Sequence, residues 1–332
     1  MKKTVIWYNH FFSEINKVFS EYKKNHAHLE VVFSSKSSSK KGDFDFYTQE
    51  PDLSVYDNFE DKQRAYISFC IDTINKFKVS FFMPFSFLKY IYGKEEYIQS
   101  QLNHTCEIIK PVNNQELFDK IDNKYENYEF LKRFNENEVL KFPFYEKATT
   151  PSDFANKYEK LRDIAKSNVV CCKPSVGVFG LGFKKLHENA SKEDKFKWSL
   201  SDKTFHNVGY NEFVEILPDS FKELILMDYL NKDEYSVDCV CKDGEIKSYN
   251  IRKKVSSSKQ VIIEDDVILN QCIRIAKIYK FNGFINLQFM EDNDGIPNLL
   301  EINPRMSGGV MKGQSMGGND LVSAFVQNCL VK

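Results

Sequence analysis

Glycine is scarce in this chain: 14 among 332 residues, about 4% against roughly 7% in average proteins. Long apolar runs are missing too. None approaches the ~18 residues that a bilayer-spanning helix needs. An excess of either charge is also absent, since 46 Lys and Arg face 47 Asp and Glu for a formal net charge of −1. That balance removes the usual basis for expecting a nucleic-acid or membrane-surface partner. The start, Met1-Lys2-Lys3-Thr4-Val5-Ile6-Trp7-Tyr8-Asn9-His10, lacks the apolar stretch of about 7–15 residues that a signal peptide carries. A cytoplasmic protein is expected. Eight cysteines are present, but no CxxC occurs and none of the six histidines completes a zinc spacing. Cys171 and Cys172 are adjacent, and Cys239 and Cys241 alternate with valines. This reads as reduced core cysteine with no metal role.

Eight of the fourteen glycines fall in two short windows: Gly177, Gly180 and Gly182, then Gly308, Gly309, Gly313, Gly317 and Gly318. A glycine-poor chain that concentrates glycine this way needs unusual backbone geometry or close approach there. With 42% hydrophobic and 14% aromatic residues, the chain can bury a large core. Its length argues for two or three domains at roughly 100–200 residues each.

The first 111 residues alternate strand and helix. Strands are expected at Thr4–Asn9, Leu29–Ser35, Asp43–Gln49, Val79–Phe85 and Cys106–Lys110, with helices at Phe12–Lys24, Asn58–Lys76 and Ser86–Gln101. This predicts a mostly parallel sheet with helices packed on it. It holds no GxGxxG and no GK[ST], so it announces no nucleotide site of its own. Residues 112–223 form a second unit: linker helices around Asn113–Phe134, a helix opened by Thr150-Pro151, the strand Asn168–Lys173 and the first glycine window. Residues 184–220 are polar and varied. Residues 224–332 form the third unit, with strands at Leu224–Leu230, Glu234–Cys241, Ile246–Val255, Gly283–Met290 and Pro297–Asn303, and helices Asp265–Tyr279 and Asn319–Val331. That is an α+β unit on an antiparallel sheet.

Chemistry is concentrated in three places. Period-2 alternation puts Asn286 and Gln288 on one face of their strand, and Glu301 and Asn303 on one face of theirs. If the two strands pair, Gln288, Glu301 and Asn303 converge as oxygen ligands suited to Mg²⁺, with Arg305 beside them as a fork for a phosphate. A solvated sheet face would look the same. Lys173-Pro174-Ser175 ends a buried-type strand before Val176-Gly177-Val178-Phe179-Gly180-Leu181-Gly182-Phe183, either a loop that folds over phosphates or a surface hairpin. Glu234 and Asp238 share one face of a strand, and Asn250, Arg252 and Lys254 share a face of the next. Such rows are often cross-strand ion pairs.

In order along the chain stand Lys124 in Asp122-Asn123-Lys124-Tyr125, Lys173 with its glycine loop, the Met227–Asp238 segment, Arg252, and Asn286 and Gln288 with Glu301-Ile302-Asn303-Pro304-Arg305. That order resembles the ATP-grasp superfamily, above all the carbamoyl phosphate synthetase large-subunit type and related carboxylate–amine ligases. The resemblance spans about residues 113–312. It implies an α/β and α+β multidomain protein: an ATP-grasp fold of two α+β subdomains clasping ATP, preceded by the βα domain. By this resemblance Lys124 and Lys173 neutralise ATP phosphates, and Gly177, Gly180 and Gly182 belong to a lid. The backbone of Asp228, Tyr229 and Leu230 holds the adenine edge, and Glu234 the ribose. Gln288, Glu301 and Asn303 bind Mg²⁺, two ions with Mn²⁺ able to substitute. Arg252 and Arg305 act on the transferring phosphate or a substrate carboxylate. Asp228 stands where many relatives have Glu, and Gln288 replaces an acidic ligand, as the carbamoyl phosphate synthetase type also does. The implied activity is ATP-dependent ligation of a small-molecule carboxylate to an amine through an acylphosphate, with a homodimer as the assembly considered. The acceptor would meet it near the Met306–Gly318 loop, where the amides of Ser307-Gly308-Gly309 could line a carboxylate pocket; a glycine-rich loop that only connects helices would look the same. A nucleotide-binding regulator without turnover and a small-molecule kinase on the same fold are the alternatives.

Overall fold

The computed structural model describes residues 3–9, 23, 26, 28–36, 44–165, 167, 169–177, 180–200, 206–256 and 259–330. Three five-stranded sheets follow one another along the chain. The first contains β1 (Thr4–Asn9), β2 (Leu29–Ser35), β3 (Phe46–Gln49), β4 (Phe81–Pro84) and β5 (Glu107–Ile108), in the order β3-β2-β1-β4-β5 with every pair parallel. Alternation buries both faces of its central strands, as a parallel sheet requires. Trp7, Val32 and Phe82 belong to the cluster that includes Tyr66, Cys70 and Ile74 of the helix Phe59–Phe77. Trp7 stacks on Phe82 with ring centroids 3.9 Å apart. Ile6, Tyr8, Val31, Phe33 and Met83, from the other face, share a cluster with Met306, Val310 and Phe325 near the C-terminus. That second cluster joins the first sheet to the last loops of the chain.

The middle sheet contains β6 (Tyr145–Ala148), β7 (Val170–Pro174), β8 (Lys184–His187), β9 (Asn207–Gly209) and β10 (Leu224–Asp228), in the order β6-β10-β7-β8-β9. The helix Pro151–Ile164 covers it, capped by Thr150, which accepts from the Asp153 N–H. The third sheet contains β11 (Glu234–Lys242), β12 (Glu245–Lys254), β13 (Gln260–Ile263), β14 (Gly283–Glu291) and β15 (Pro297–Asn303). Its order is β13-β12-β11-β14-β15 and it is antiparallel throughout. One face packs Val237, Cys239, Leu287 and Phe289 in a cluster with Ile268, Cys272 and Ile275 of the helix Asp266–Tyr279. The other face carries Ser236, Asp238, Asn286 and Gln288, and at one end Val240 and Phe284 pack in a cluster with Leu321 and Phe325.

Several expectations need correction. Leu224–Asp228 does not join the third sheet; it inserts between β6 and β7. The single helix expected over Ser86–Gln101 is a 3-10 turn, Leu88–Tyr90, and a short helix, Glu95–Ser100. Positive φ at Phe87 (58°) and Gly93 (73°) breaks the helical path there. The polar stretch 184–220 carries β8, β9 and two short helices, Lys192–Ser199 and Tyr210–Glu215, and β13 was not anticipated. The helix expected at Phe12–Lys24 lies outside the described residues, apart from Lys23. All eight cysteines are buried and none forms a disulfide.

Phe289 is fully buried between the third sheet and its helix. Phe289→Ala should destabilise the protein by about 3–5 kcal/mol, through lost transfer energy and the cavity left behind. Urea titration followed by tryptophan fluorescence and circular dichroism checks this, and a loss well below that range would place Phe289 outside the core.

Candidate active site between the middle and third sheets

The helix Lys124–Lys132 begins where the middle and third sheets meet. Asn123 caps it by accepting from the Glu126 N–H, and its side-chain amide donates to Glu223 Oε1 at 3.2 Å. The Lys124 N–H donates to the Ser175 carbonyl at 2.9 Å, just past β7. Lys124 Nζ donates to the Gly177 carbonyl at 2.9 Å and lies 3.8 Å from Glu301 Oε2 on β15. Further along, the buried Tyr128 hydroxyl donates to the Leu300 carbonyl at 2.8 Å. One helix thus ties the glycine loop of the middle sheet to the acidic strand of the third.

Lys173 lies on β7, directly opposite Ile225. Its ammonium makes no hydrogen bond or ion pair with the described residues, while burial first, and then Lys124, push its pKa below the ordinary 10.5. Two neighbouring cations with a single carboxylate, Glu301, near both leave local positive charge for an anion. The Ser175 hydroxyl is buried with no hydrogen-bond partner. Gly182 has φ of 78° and a Cβ there would sit 2.8 Å from Pro174 Cδ, so only glycine fits this turn. Gly180 also has positive φ, at 66°. Val178 and Phe179 lie outside the described residues.

The strand pair β14–β15 sets Gln288 opposite Glu301 and Asn286 opposite Asn303. The three expected metal ligands therefore stand side by side on the polar face. One carboxylate and two amide oxygens form a hard-oxygen donor set that fits Mg²⁺ completed by phosphate oxygens. Asn303 donates to Asn286 Oδ1 and accepts from Arg305 Nη2, both at 3.4 Å, so Arg305 adjoins the same group. Burial lowers the Arg305 pKa and Glu301 opposes the shift.

On the outer side, a cleft of about 620 Å³ is lined by Tyr229, Leu230, Glu234, Lys254 and Met290. It brings Tyr229, Leu230 and Glu234 together, while Asp228 does not line it. The backbone donors of the segment are partly committed: the Asp228 N–H donates to Phe144 and the Tyr229 N–H to Val169, both at 2.9 Å. The Asp228 carboxylate accepts from Ser167 Oγ at 2.5 Å. The Leu230 N–H donates to no backbone carbonyl of the described residues. Glu234 pairs with Lys254 at 2.7 Å across β11 and β12. Sequence reasoning passed over Lys185, on β8 opposite Cys171, whose Nζ donates to the Tyr229 hydroxyl at 2.5 Å and sits 4.0 Å from the ring centroid. Its alternation with the buried Leu186 was the available signal. A larger cleft, about 1020 Å³, lies beside β5 around Tyr92, Glu95 and Lys110 and shares none of these residues.

Arg252 departs from expectation. It is 5% exposed, and its guanidinium donates from Nε to Asp238 at 3.0 Å, from Nη1 to Gln260 at 2.6 Å, and from Nη2 to Ser236 and Ser307 at 2.9 and 3.3 Å. Asp238 neutralises it and protein oxygens take four of its five hydrogens.

A family model described as an ATP-grasp in the biosynthetic pathway with Ter operon matches residues 220–331. A solved N5-carboxyaminoimidazole ribonucleotide synthetase, an ADP complex, superposes with a TM-score of 0.62 at 12% identity, covering 99% of this chain and 78% of that one. This protein has the ATP-grasp fold. An L-amino acid ligase from Bacillus licheniformis gives a TM-score of 0.61 at 12% identity over 99% of this chain and 75% of its own. A D-alanine–D-alanine ligase from Bacillus anthracis complexed with ATP gives 0.53 at 15% identity over 99% and 97%. No curated protein matches the sequence. Lys173 stands on the middle sheet and Glu301 on the third, with Lys124 close to both.

Lys173 must be protonated to meet a phosphate. Its pKa in the free protein lies below 10.5, and a polyphosphate beside it raises that value. Between the two values binding takes up a proton, so affinity for ADP falls as pH rises through this window. Lys173→Arg, always protonated, should flatten the dependence. Calorimetric titration with ADP from neutral to alkaline pH checks this, and an unchanged slope in the variant would remove Lys173 from the phosphate site.

Proposed function

We propose that this protein is an ATP-dependent ligase that joins a small-molecule carboxylate to an amine. The observation that carries the reading is the junction at Lys124: its ammonium bonds the Gly177 carbonyl and lies 3.8 Å from Glu301. Two lysines, a glycine turn and a hard-oxygen cluster thereby adjoin one another in the ATP-grasp fold. The solved structures with this fold include an amino acid ligase and a D-alanine–D-alanine ligase, which supports the reaction class by analogy of fold.

In this reading the base enters the Tyr229–Leu230 cleft and accepts from the Leu230 N–H, with Glu234 near the ribose. Lys124 and Lys173 take the phosphates, and the Gly177–Gly182 turn closes over them to exclude water. Gln288, Glu301 and Asn303 hold Mg²⁺, which supplies charge neutralisation on the phosphate oxygens. The carboxylate oxygen attacks the γ-phosphorus, the bond to the β-phosphate oxygen breaks, and ADP leaves. The amine then adds to the acylphosphate carbonyl, phosphate leaves, and the amine proton passes to solvent. Arg305 faces the charge that develops in both steps. Positioning and charge neutralisation lower the barrier, so no nucleophilic side chain is required.

Mg²⁺-dependent release of ADP and free phosphate should appear with pools of carboxylates and amines, and a condensed product should be found by mass spectrometry. Glu301→Ala should reduce turnover about 100-fold or more. A stable phosphoester without free phosphate would replace the ligase reading with a kinase. Nucleotide binding without turnover in any pool would favour a regulator.

A further inference from the structure

The second glycine window remains to be explained. A Cβ on Gly309 would overlap three atoms of the Arg252 guanidinium. One on Gly318 would lie 2.5 Å from Asn250 Oδ1, and one on Gly313 would lie 3.2 Å from Asn250 Nδ2. Gly308 and Gly317 meet nothing within 4 Å. Three of the five glycines therefore answer to two side chains of β12, which stand two residues apart on the same face of the sheet.

The bonds agree with the packing. Ser307 Oγ accepts from Arg252 Nη2 at 3.3 Å and from the Gly309 N–H at 3.0 Å. Asn250 donates to the Asn319 carbonyl at 2.9 Å and accepts from the Asn319 N–H at 2.7 Å. Both ends of the short helix Val310–Ser315 are thus seated on β12. Below, Asp238 holds Arg252 by an ion pair of 2.8 Å between side chains 5% and 2% exposed. Asp238 Oδ1 also accepts from Asn286 at 2.9 Å, beside the metal-type cluster. On its far side the loop puts Met306 and Val310 into the cluster with Ile6, Tyr8 and Met83 of the first sheet.

We infer that Arg252 is a positioning residue: with Asn250 it forms the seat that fixes the Met306–Gly318 loop between the first and third sheets, and so holds Arg305, at the loop's start, in place. The guanidinium does not bind phosphate. Neutralised by Asp238, it brings no net charge to an anion, and four of its five hydrogens go to Asp238, Gln260, Ser236 and Ser307. Lysine cannot replace it, because an ammonium lacks the planar fork that reaches four side chains at once. The part of this inference that concerns reacting groups rests on the ligase reading; the seating of the loop does not.

The test compares wild type with Arg252→Lys and Gly309→Ala by hydrogen exchange and by calorimetric titration with ADP and Mg²⁺. Both variants should raise amide exchange in residues 307–318 by about tenfold or more, with exchange in β11 and β14 and the affinity for ADP unchanged. Gly318→Ala, which presses on Asn250 instead, gives a second route to the same loosened loop should Gly309→Ala fail to fold. Tenfold weaker ADP binding in Arg252→Lys with an unaltered loop would overturn the inference and make Arg252 a phosphate ligand. Turnover, measured separately, decides the ligase reading: a loosened loop in a protein with no ligase activity on any pool would sink that reading and leave the seat intact.

Discussion

The β14–β15 ladder is the constraint on which the site depends. Side chains alternate with a period of two, so a slip of one residue would send Gln288, Glu301 and Asn303 into the core and Leu287, Phe289 and Ile302 to the cleft. Two devices fix the register. The connecting turn is locked by Asp292, whose Oδ1 accepts from the Asp294 and Ile296 N–H groups at 3.0 Å, with Gly295 at a φ of 77°. A bulge then shifts the pairing between Gln288 and Phe289, leaving Leu300 as the extra residue. Its carbonyl accepts from Tyr128. The irregularity that aims Glu301 is therefore also the anchor for the helix that carries Lys124.

Much of this was legible in the sequence because it depends on local alternation. The strands Glu234–Lys242, Glu245–Lys254, Gly283–Glu291 and Pro297–Asn303 announce themselves by period and by turn residues, and their polar face follows directly. The helix opened by Thr150-Pro151 was equally plain, and Thr150 caps it. What stayed hidden depends on partners distant in the chain. Nothing within Leu224–Asp228 says that it pairs with β6 and β7 rather than with the sheet that follows it. Gln260–Ile263 is a four-residue edge strand with every residue half-buried, too short for a periodic signal.

Arg252 shows the same limit at the level of one side chain. Its residue type and its order among the cations suit an anion contact. Its actual role is decided by Asp238, fourteen residues earlier, and by Ser307, fifty-five later. A buried ion pair of this kind contributes little net stability, since desolvation offsets most of the attraction, but losing one partner costs several kcal/mol. Its value here is geometric: a fork that must satisfy four oxygens has one orientation, and whatever rests on it has one position.

The two glycine windows, alike in composition, have different causes. In the first, positive φ at Gly180 and Gly182 shapes a turn that side chains would strain. In the second, the backbone lies so close to Arg252 and Asn250 that a Cβ has no room at Gly309 or Gly318, although only Gly317 of that window has positive φ. The first kind of glycine permits motion of a loop, because it removes a barrier between backbone states. The second kind prevents it, because it lets backbone and buried side chain meet at contact distance. In the ligase reading, a site that closes over a nucleotide on one side and holds a second substrate still on the other needs both. Here the first kind stands beside Pro174 of β7 and the second on Arg252 and Asn250 of β12.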